Sequence, residues 1–226
     1  MAKGSEITDI PAYIKEAILK IKADAISRKN EQSLWQGDTT YVLPYPSPAD
    51  AAEEKANALV RHFLDFDGFI KLAQESTKTI KTAAAGVALT AGTAEAKVKL
   101  VTDLIPEELV MEPTVLAMSP SNFSIFRAAM IKKYEGQQRF DDVIGANWMY
   151  KIPGTEITAR AMTGLTGSND MMLSRVVDAT VGVDLLSEED QAEMRMLENR
   201  SFEFFALYKL GAQLGNEPYI VVTKAA

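Results

Sequence analysis

At 226 residues and 24.8 kDa the chain is long enough for one substantial core or two modest ones, and with no cysteine it excludes disulfides, thiolate metal sites and a cysteine nucleophile. Hydrophobic residues at 47% and charged residues at 24% are ordinary for a folded globular chain, and no run approaches the roughly 20 apolar residues that span a bilayer, so no membrane partner is expected. A formal charge of −7 with a pI near 4.9 argues against a dedicated nucleic-acid binder, which would hold phosphates with clustered Lys and Arg.

The first six residues, Met1 to Glu6, carry one basic residue and no apolar stretch, which is not a secretory signal and makes cytoplasmic synthesis the expectation. Ile10, Ile14, Ala17, Ile18, Ile21 and Ala25 then recur at three- and four-residue intervals, predicting a helix from Pro11 to about Ser33 with one apolar stripe set against a partner. Thr8 or Asp9 can cap it, Pro11 suits its first turn, and it would extend on the order of 35 Å. Lys15, Lys20, Lys22, Arg28 and Lys29 are spread around it and interrupted by Glu16 and Asp24, the pattern of a solvated face. The helix closes on Leu34-Trp35-Gln36-Gly37-Asp38.

Thr39 to Leu43 is β-prone, and Pro44, Pro46 and Pro48 mark a connection after it. Ser47 as N-cap, Pro48 in the first turn and Asp50 as a capping-box acid predict a helix through Arg61 and His62. Phe63, Phe66, Phe69 and Leu72 carry an apolar face past Asp67-Gly68, and Thr82 to Gly92 is rich in Ala, Gly and Thr and predicts a loop. A helix from about Thr93 places Val98, Val101, Leu104 and Ile105 on one face, and Pro106 disturbs the next turn. Thr114 to Met118 has the composition of a buried strand. Ser119-Pro120 then caps a helix with Phe123, Phe126, Met130 and Tyr134 inward, broken at Gly136.

From Asn147 the pattern changes to short apolar runs, Trp148-Met149-Tyr150, Met171-Met172-Leu173 and Val176 to Val183, which predict strands. In Ser201 to Lys209 the positions 202, 204, 206 and 208 are all apolar and alternate with a mixed set; strand is preferred there and helix stays open. Helices and strands together predict an α+β fold.

Catalytic signals are weak. His62 is the single histidine and reads as a surface or boundary residue on a helix. Asp65 with Asp67, Asp141 with Asp142, and Glu188-Glu189-Asp190 are the tight carboxylate groups; Asp65-Phe66-Asp67-Gly68 lacks the further oxygen ligands of a calcium loop, and the third reads as a first-turn acidic cluster. Gly86 to Gly92 lacks the Gly-Lys-Ser/Thr ending of a phosphate loop. Of the ten methionines, Met111, Met118, Met130, Met149, Met162, Met171, Met172, Met194 and Met196 are scattered over many elements and suit core or subunit contact. No catalytic residue, cofactor or metal site is expected.

Tyr13-Ile14-Lys15 through Trp35-Gln36-Gly37-Asp38 resembles the spine helix of tailed-bacteriophage major capsid proteins with the Hong Kong 97 fold, which ends in a Gly-Asp turn and leads into a segment like Phe66-Asp67-Gly68-Phe69. Met118-Ser119-Pro120-Ser121-Asn122 is similar to an element of that family's axial domain. Tyr150-Lys151-Ile152-Pro153 resembles the strand before its closing third, and Val177 to Val183 with Ser201 to Val222 resembles its return strands. The resemblance implies a spine helix in residues 1–40, an axial domain in 41–175, and return strands in 176–226 that complete a peripheral domain with the spine helix. It implies a virion protein, made in the bacterial host cytoplasm, whose partner is itself in the pentamers and hexamers of a shell. Scaffold, portal or decoration proteins would be further partners, and packaged DNA would be met only non-specifically. The loop at Tyr134, Glu135, Gly136, Gln137 and Gln138 would approach the ring axis as a subunit interface.

The family's N-terminal arm and extended hairpin are not found in the few residues ahead of Pro11, so either the chain is a fragment or other contacts lock the shell. The family's lysine–asparagine cross-link is not carried over to the region of Gln191-Ala192-Glu193. The alternatives are an encapsulin-like compartment shell, a small metal-dependent α/β enzyme using Asp141-Asp142, and a partner-binding adaptor.

Overall fold

A computed structural model describes residues 12–82, 89–134, 144–145, 148–184, 192–196, 202–206 and 209–223. The helices among them are α1 (Ala12–Gln36), α2 (Ala51–Val60), α3 (Phe69–Glu75), α4 (Ala94–Thr102) and α5 (Pro120–Lys133). The strands are β1 (Ile80–Thr82), β2 (Thr114–Met118), β3 (Ile144–Gly145), β4 (Met149–Lys151), β5 (Ile157–Ala161), β6 (Met172–Ser174), β7 (Ala179–Asp184), β8 (Ala192–Met196), β9 (Phe202–Ala206), β10 (Lys209–Leu214) and β11 (Val221–Thr223). The class is mixed α+β, as expected. Seven strands form one mixed sheet in the order β1-β11-β6-β2-β5-β4-β3, and β7 with β10 and β8 with β9 form two antiparallel pairs.

The large sheet is covered on both faces, which is why β2, β6 and β11 read as uninterrupted apolar runs rather than alternating ones. Leu116, Leu173 and Val221 stand in register on one face, while Ala117, Met172 and Val222 stand on the other. The first face packs on Val98 and Val101 of α4 and on Phe123, Phe126 and Met130 of α5. The second packs on Phe69, Ile70 and Ala73 of α3 and on Leu165, with Leu34 and Trp35 of α1 and Ala179, Ala212 and Leu214 of the β7–β10 pair against it. The last turn of α1 and the β7–β10 pair, far apart in sequence, therefore meet on this second face.

Local chemistry accounts for the helix starts. Ser119 Oγ accepts from the Asn122 N–H at 3.3 Å and Pro120 fills the first turn of α5, as the sequence indicates. For α2 the cap is Asp50 rather than Ser47: its Oδ1 accepts from the Ala52 and Glu53 N–H groups at 2.9 Å each, and Glu53 Oε2 accepts from the Ala49 N–H at 2.7 Å. A carboxylate that takes two orphan donors at a helix N-terminus outcompetes a hydroxyl three residues earlier.

Other expectations are corrected. Thr39 to Leu43 forms no strand, because Thr39 and Thr40 turn back onto Asp67 and Asp38. Leu104 is exposed, since α4 ends at Thr102 and its inward face stops at Val101. Val176 to Asp178 is a 3-10 turn, with β7 beginning at Ala179. The closing segment leaves the small β pairs: Val221–Thr223 lies in the large sheet, parallel to β1 and antiparallel to β6. Of the stripe of α1, the two side chains that the structure describes are not buried by this chain, for Ile21 is 67% exposed and Ala25 is exposed as well.

The last two turns of α1 are seated by backbone contacts that leave no room for a side chain. The Gly37 N–H donates to Ser33 O at 2.8 Å, the Gly68 N–H to Gly37 O at 2.9 Å and the Asp38 N–H to Phe63 O at 2.7 Å. A Cβ on Gly68 would stand 2.6 Å from Ser33 O, 2.7 Å from Gly37 N and 2.8 Å from Leu34 O. On the other flank Gly164 lies so close that a Cβ would overlap Trp35 and the Glu31 carbonyl. Gln36 Nε2 donates to Gly164 O at 2.5 Å and to Thr166 O at 3.1 Å, Glu31 Oε1 accepts from the Gly164 N–H at 3.1 Å, and Glu31 Oε2 accepts from the Thr163 hydroxyl. Trp35 completes the seat edge-on to Phe69, with ring centroids 5.4 Å apart.

Gly68→Ala should therefore unfold the chain at markedly lower urea, at a cost of about 3 kcal/mol or more, because backbone atoms cannot rotate aside. Gly92→Ala, where a Cβ meets nothing within 4 Å, should shift stability by less than about 0.5 kcal/mol. Equal urea midpoints for the two variants would refute the seat as described.

Candidate functional site

Tyr134 is the residue of the expected interface that the structure describes; Glu135, Gly136, Gln137 and Gln138 lie outside the described residues. It caps α5 at the C-terminus, its N–H donating to Met130 O at 3.1 Å, and its side chain is half-buried. Beside it Lys133 pairs with Glu95 of α4, and Lys133 Nζ lies 5.4 Å from the Tyr134 ring centroid. The hydrogen bond from Lys133 to Glu95 holds the ammonium above its ordinary pKa. Behind this pair the Tyr150 hydroxyl is pushed up to about 12, by burial first and then by Tyr134 and Glu95, so it stays a neutral core group, edge-on to Phe126 at 5.5 Å. Phe126, Met130, Tyr134, Ile152 and Pro153 line a shallow groove of about 240 Å³ between α4 and α5, with Lys99 and Asp103 paired at 2.7 Å on its rim. Its lining combines apolar side chains with paired ions.

The other sequence candidates separate. Asp141-Asp142 and Glu188-Glu189-Asp190 lie outside the described residues. Asp67 is taken up structurally, its Oδ1 accepting from the Thr39 N–H at 2.8 Å and from the Thr39 hydroxyl at 2.9 Å, while Asp65 is exposed. Among the described residues no group of three or more His, Cys, Asp and Glu side chains could hold a metal, and no helix is long and apolar enough to cross a membrane. The methionines divide: Met118, Met130, Met171 and Met172 are core, whereas Met111 is 84% exposed.

His62 sits against the seat of α1. Its carbonyl accepts from Ser33 Oγ at 2.8 Å, its ring lies 4.2 Å from that of Phe63, and neither ring nitrogen has a hydrogen-bond partner among the described residues. Burial lowers its pKa and the Lys29 ammonium lowers it further. Asp65 acts the other way, as does an approach by the Leu59 carbonyl that falls outside hydrogen-bond geometry. Such a group is suited to apolar packing in its neutral form.

A second charged cluster had no motif to announce it. Arg175 forks onto the buried Asp178, Nε to Oδ2 at 2.8 Å and Nη2 to Oδ1 at 3.0 Å, and reaches Glu112 Oε2 with Nη1 at 3.1 Å. Asn216 Nδ2 also donates to Asp178 Oδ1, at 2.9 Å, and the Tyr219 ring lies 5.2 Å from the guanidinium. Burial works to raise the Asp178 pKa, but the bonds from Arg175 and Asn216 outweigh it and hold the carboxylate below its ordinary value. The cluster ties the 3-10 turn before β7 to the loop after Leu109. Together these present Val110, Met111, Val176 and Val177, exposed by 47, 84, 71 and 73%. The only hint in the sequence was the spacing of Arg175 and Asp178 by three residues across an apolar run.

No protein-family model matches this chain, and no curated protein matches it. Among solved structures it is similar to the virus-like particle from Pyrococcus furiosus, with 12% sequence identity and a TM-score of 0.40, over 76% of this chain and 65% of that one.

The single histidine makes one proton titration readable without assignment. The proton NMR titration of the His62 ring should have its midpoint below 6.5. Since the unfolded chain takes that proton first, stability should begin to fall as the pH drops below 6.5. A midpoint at or above 6.5 would contradict the neutral, half-buried setting.

Proposed function

We propose that this chain is a structural protein that assembles with copies of itself into a closed shell, with the Hong Kong 97 fold and the role of a tailed-phage major capsid protein. The observation that carries this reading is the division of α1. Its last two turns are fixed in the body by the Gly37, Gly68 and Gly164 contacts, and its earlier turns carry the exposed Ile21 and Ala25 on the stripe predicted to meet a partner. Stripe residues such as Ile21 and Ala25, left exposed by their own chain, are what a neighbouring copy would cover.

The discontinuous packing supports the same reading. α1 and the β7–β10 pair, far apart in sequence, pack on the second face of the sheet, as a peripheral domain that joins the spine helix to return strands would require, while β11 belongs to the large sheet. Contacts between unlike surfaces of successive copies close into rings, and many weak contacts together give a durable particle. Tyr134 to Gln138 would approach the ring axis. In the phage reading the net charge of −7 suits a container that holds DNA without binding it tightly. An encapsulin-like shell would use the same contacts around a protein cargo, and the contents of recovered particles separate the two.

Concentrated protein should sediment as particles far larger than 24.8 kDa and show closed shells by negative-stain microscopy. Protein that remains monomeric at every concentration and salt, also when extended at its N-terminus, would refute the reading.

A further inference from the structure

Two exposed apolar surfaces on this chain carry opposite charge. On α1, Ile21, Ala25 and Arg28 follow at i, i+4 and i+7 and so share a face, with Lys29 beside them, all exposed. Asp24, four residues before Arg28, borders the same face with Lys20 four residues before it, so the exposed charges here are Lys20, Arg28 and Lys29 against the single carboxylate of Asp24. The second surface is the patch of Val110, Met111, Val176 and Val177, bordered by the exposed carboxylates of Glu107, Glu108 and Glu112. Glu112 is engaged with Arg175, and no ion pair among the described residues takes Glu107 or Glu108.

From this complementarity we infer that α1 of one copy docks on the Val110–Val177 patch of a second copy. Ile21 and Ala25 meet the exposed valines and Met111 there, and Arg28 and Lys29 face Glu107 and Glu108. The inference rests on the self-assembly reading and names the contact that reading left open. The two surfaces differ, so the contact is heterologous: each copy offers one surface and accepts on the other, which propagates rings instead of stopping at a two-fold dimer. Apolar area supplies the affinity, and the charges set the register and exclude the patch-to-patch pairing, in which Glu107 and Glu108 would face their own kind. The Arg175–Asp178–Glu112 cluster holds the two halves of the patch together. It is thus a positioning element for the contact and not part of it.

The test compares the protein concentration at which particles form, by light scattering, for the full chain and three variants, each first shown to be folded by circular dichroism and thermal melting. Arg28→Glu/Lys29→Glu and Glu107→Lys/Glu108→Lys should each raise that concentration by about tenfold or more, since every rim mismatch recurs at each contact of the shell. Combining all four substitutions in one chain restores the complementarity with its sign reversed and should return assembly close to the unaltered level. Two results would overturn the pairing while leaving the shell reading intact: normal assembly of Arg28→Glu/Lys29→Glu, or a folded four-substitution chain that fails as badly as its parents. An unaltered chain that never assembles would overturn the shell reading and the pairing with it.

Discussion

Everything in this fold turns on how closely the end of α1 approaches the rest of the chain. With Gly37 and Gly68 backbone to backbone, and Gly164 pressed on Trp35 and the Glu31 carbonyl, the helix is fixed by groups that have no rotamers to give. Hydrogen bonds from Gln36 and to Glu31 set its rotation, and Ser33 ties it to the carbonyl of His62. Asp38 adds an ion pair to Lys71 at 3.1 Å just beyond the last turn. A helix of 25 residues seated by its last two turns acts as a strut, whose direction is set at that end.

The same seat explains the layering. Leu34 and Trp35 close the second face of the large sheet, so the strands beneath them are apolar on both sides. Ala179, Ala212 and Leu214 bring the β7–β10 pair to that layer, and the Arg175–Asp178 fork anchors the chain at the point where it leaves the core for β7.

Much of this was legible in the sequence where the signal is local. Ser119-Pro120, the run Thr114 to Met118 and the inward Phe123, Phe126 and Met130 identify β2 and α5 because cap, composition and period agree. The helical period also revealed α1 and its stripe. It could not say whether the stripe is covered from within, since a helical wheel reports which face is apolar and not which molecule meets it. β5 carries only a faint sequence signal although Ile157, Ala159 and Ala161 alternate with Thr158 and Arg160, because small residues weaken the contrast. The pairing of Ile80–Thr82 with Val221–Thr223 joins segments about 140 residues apart, and no local pattern encodes it. Gly37-Asp38 and Phe66-Asp67-Gly68-Phe69 stood out as separate motifs. That the two glycines touch is a tertiary fact, and nothing in the sequence singled out Gly164.

Hydrogen exchange followed by mass spectrometry, on dilute and on assembled protein, tests most directly whether α1 is seated at one end and completed by a neighbour at the other. Amides of residues 31–36 should be protected in both samples, while those of 20–29 should exchange readily when dilute and slow substantially on assembly. Equal exchange of residues 20–29 in the two samples would contradict it.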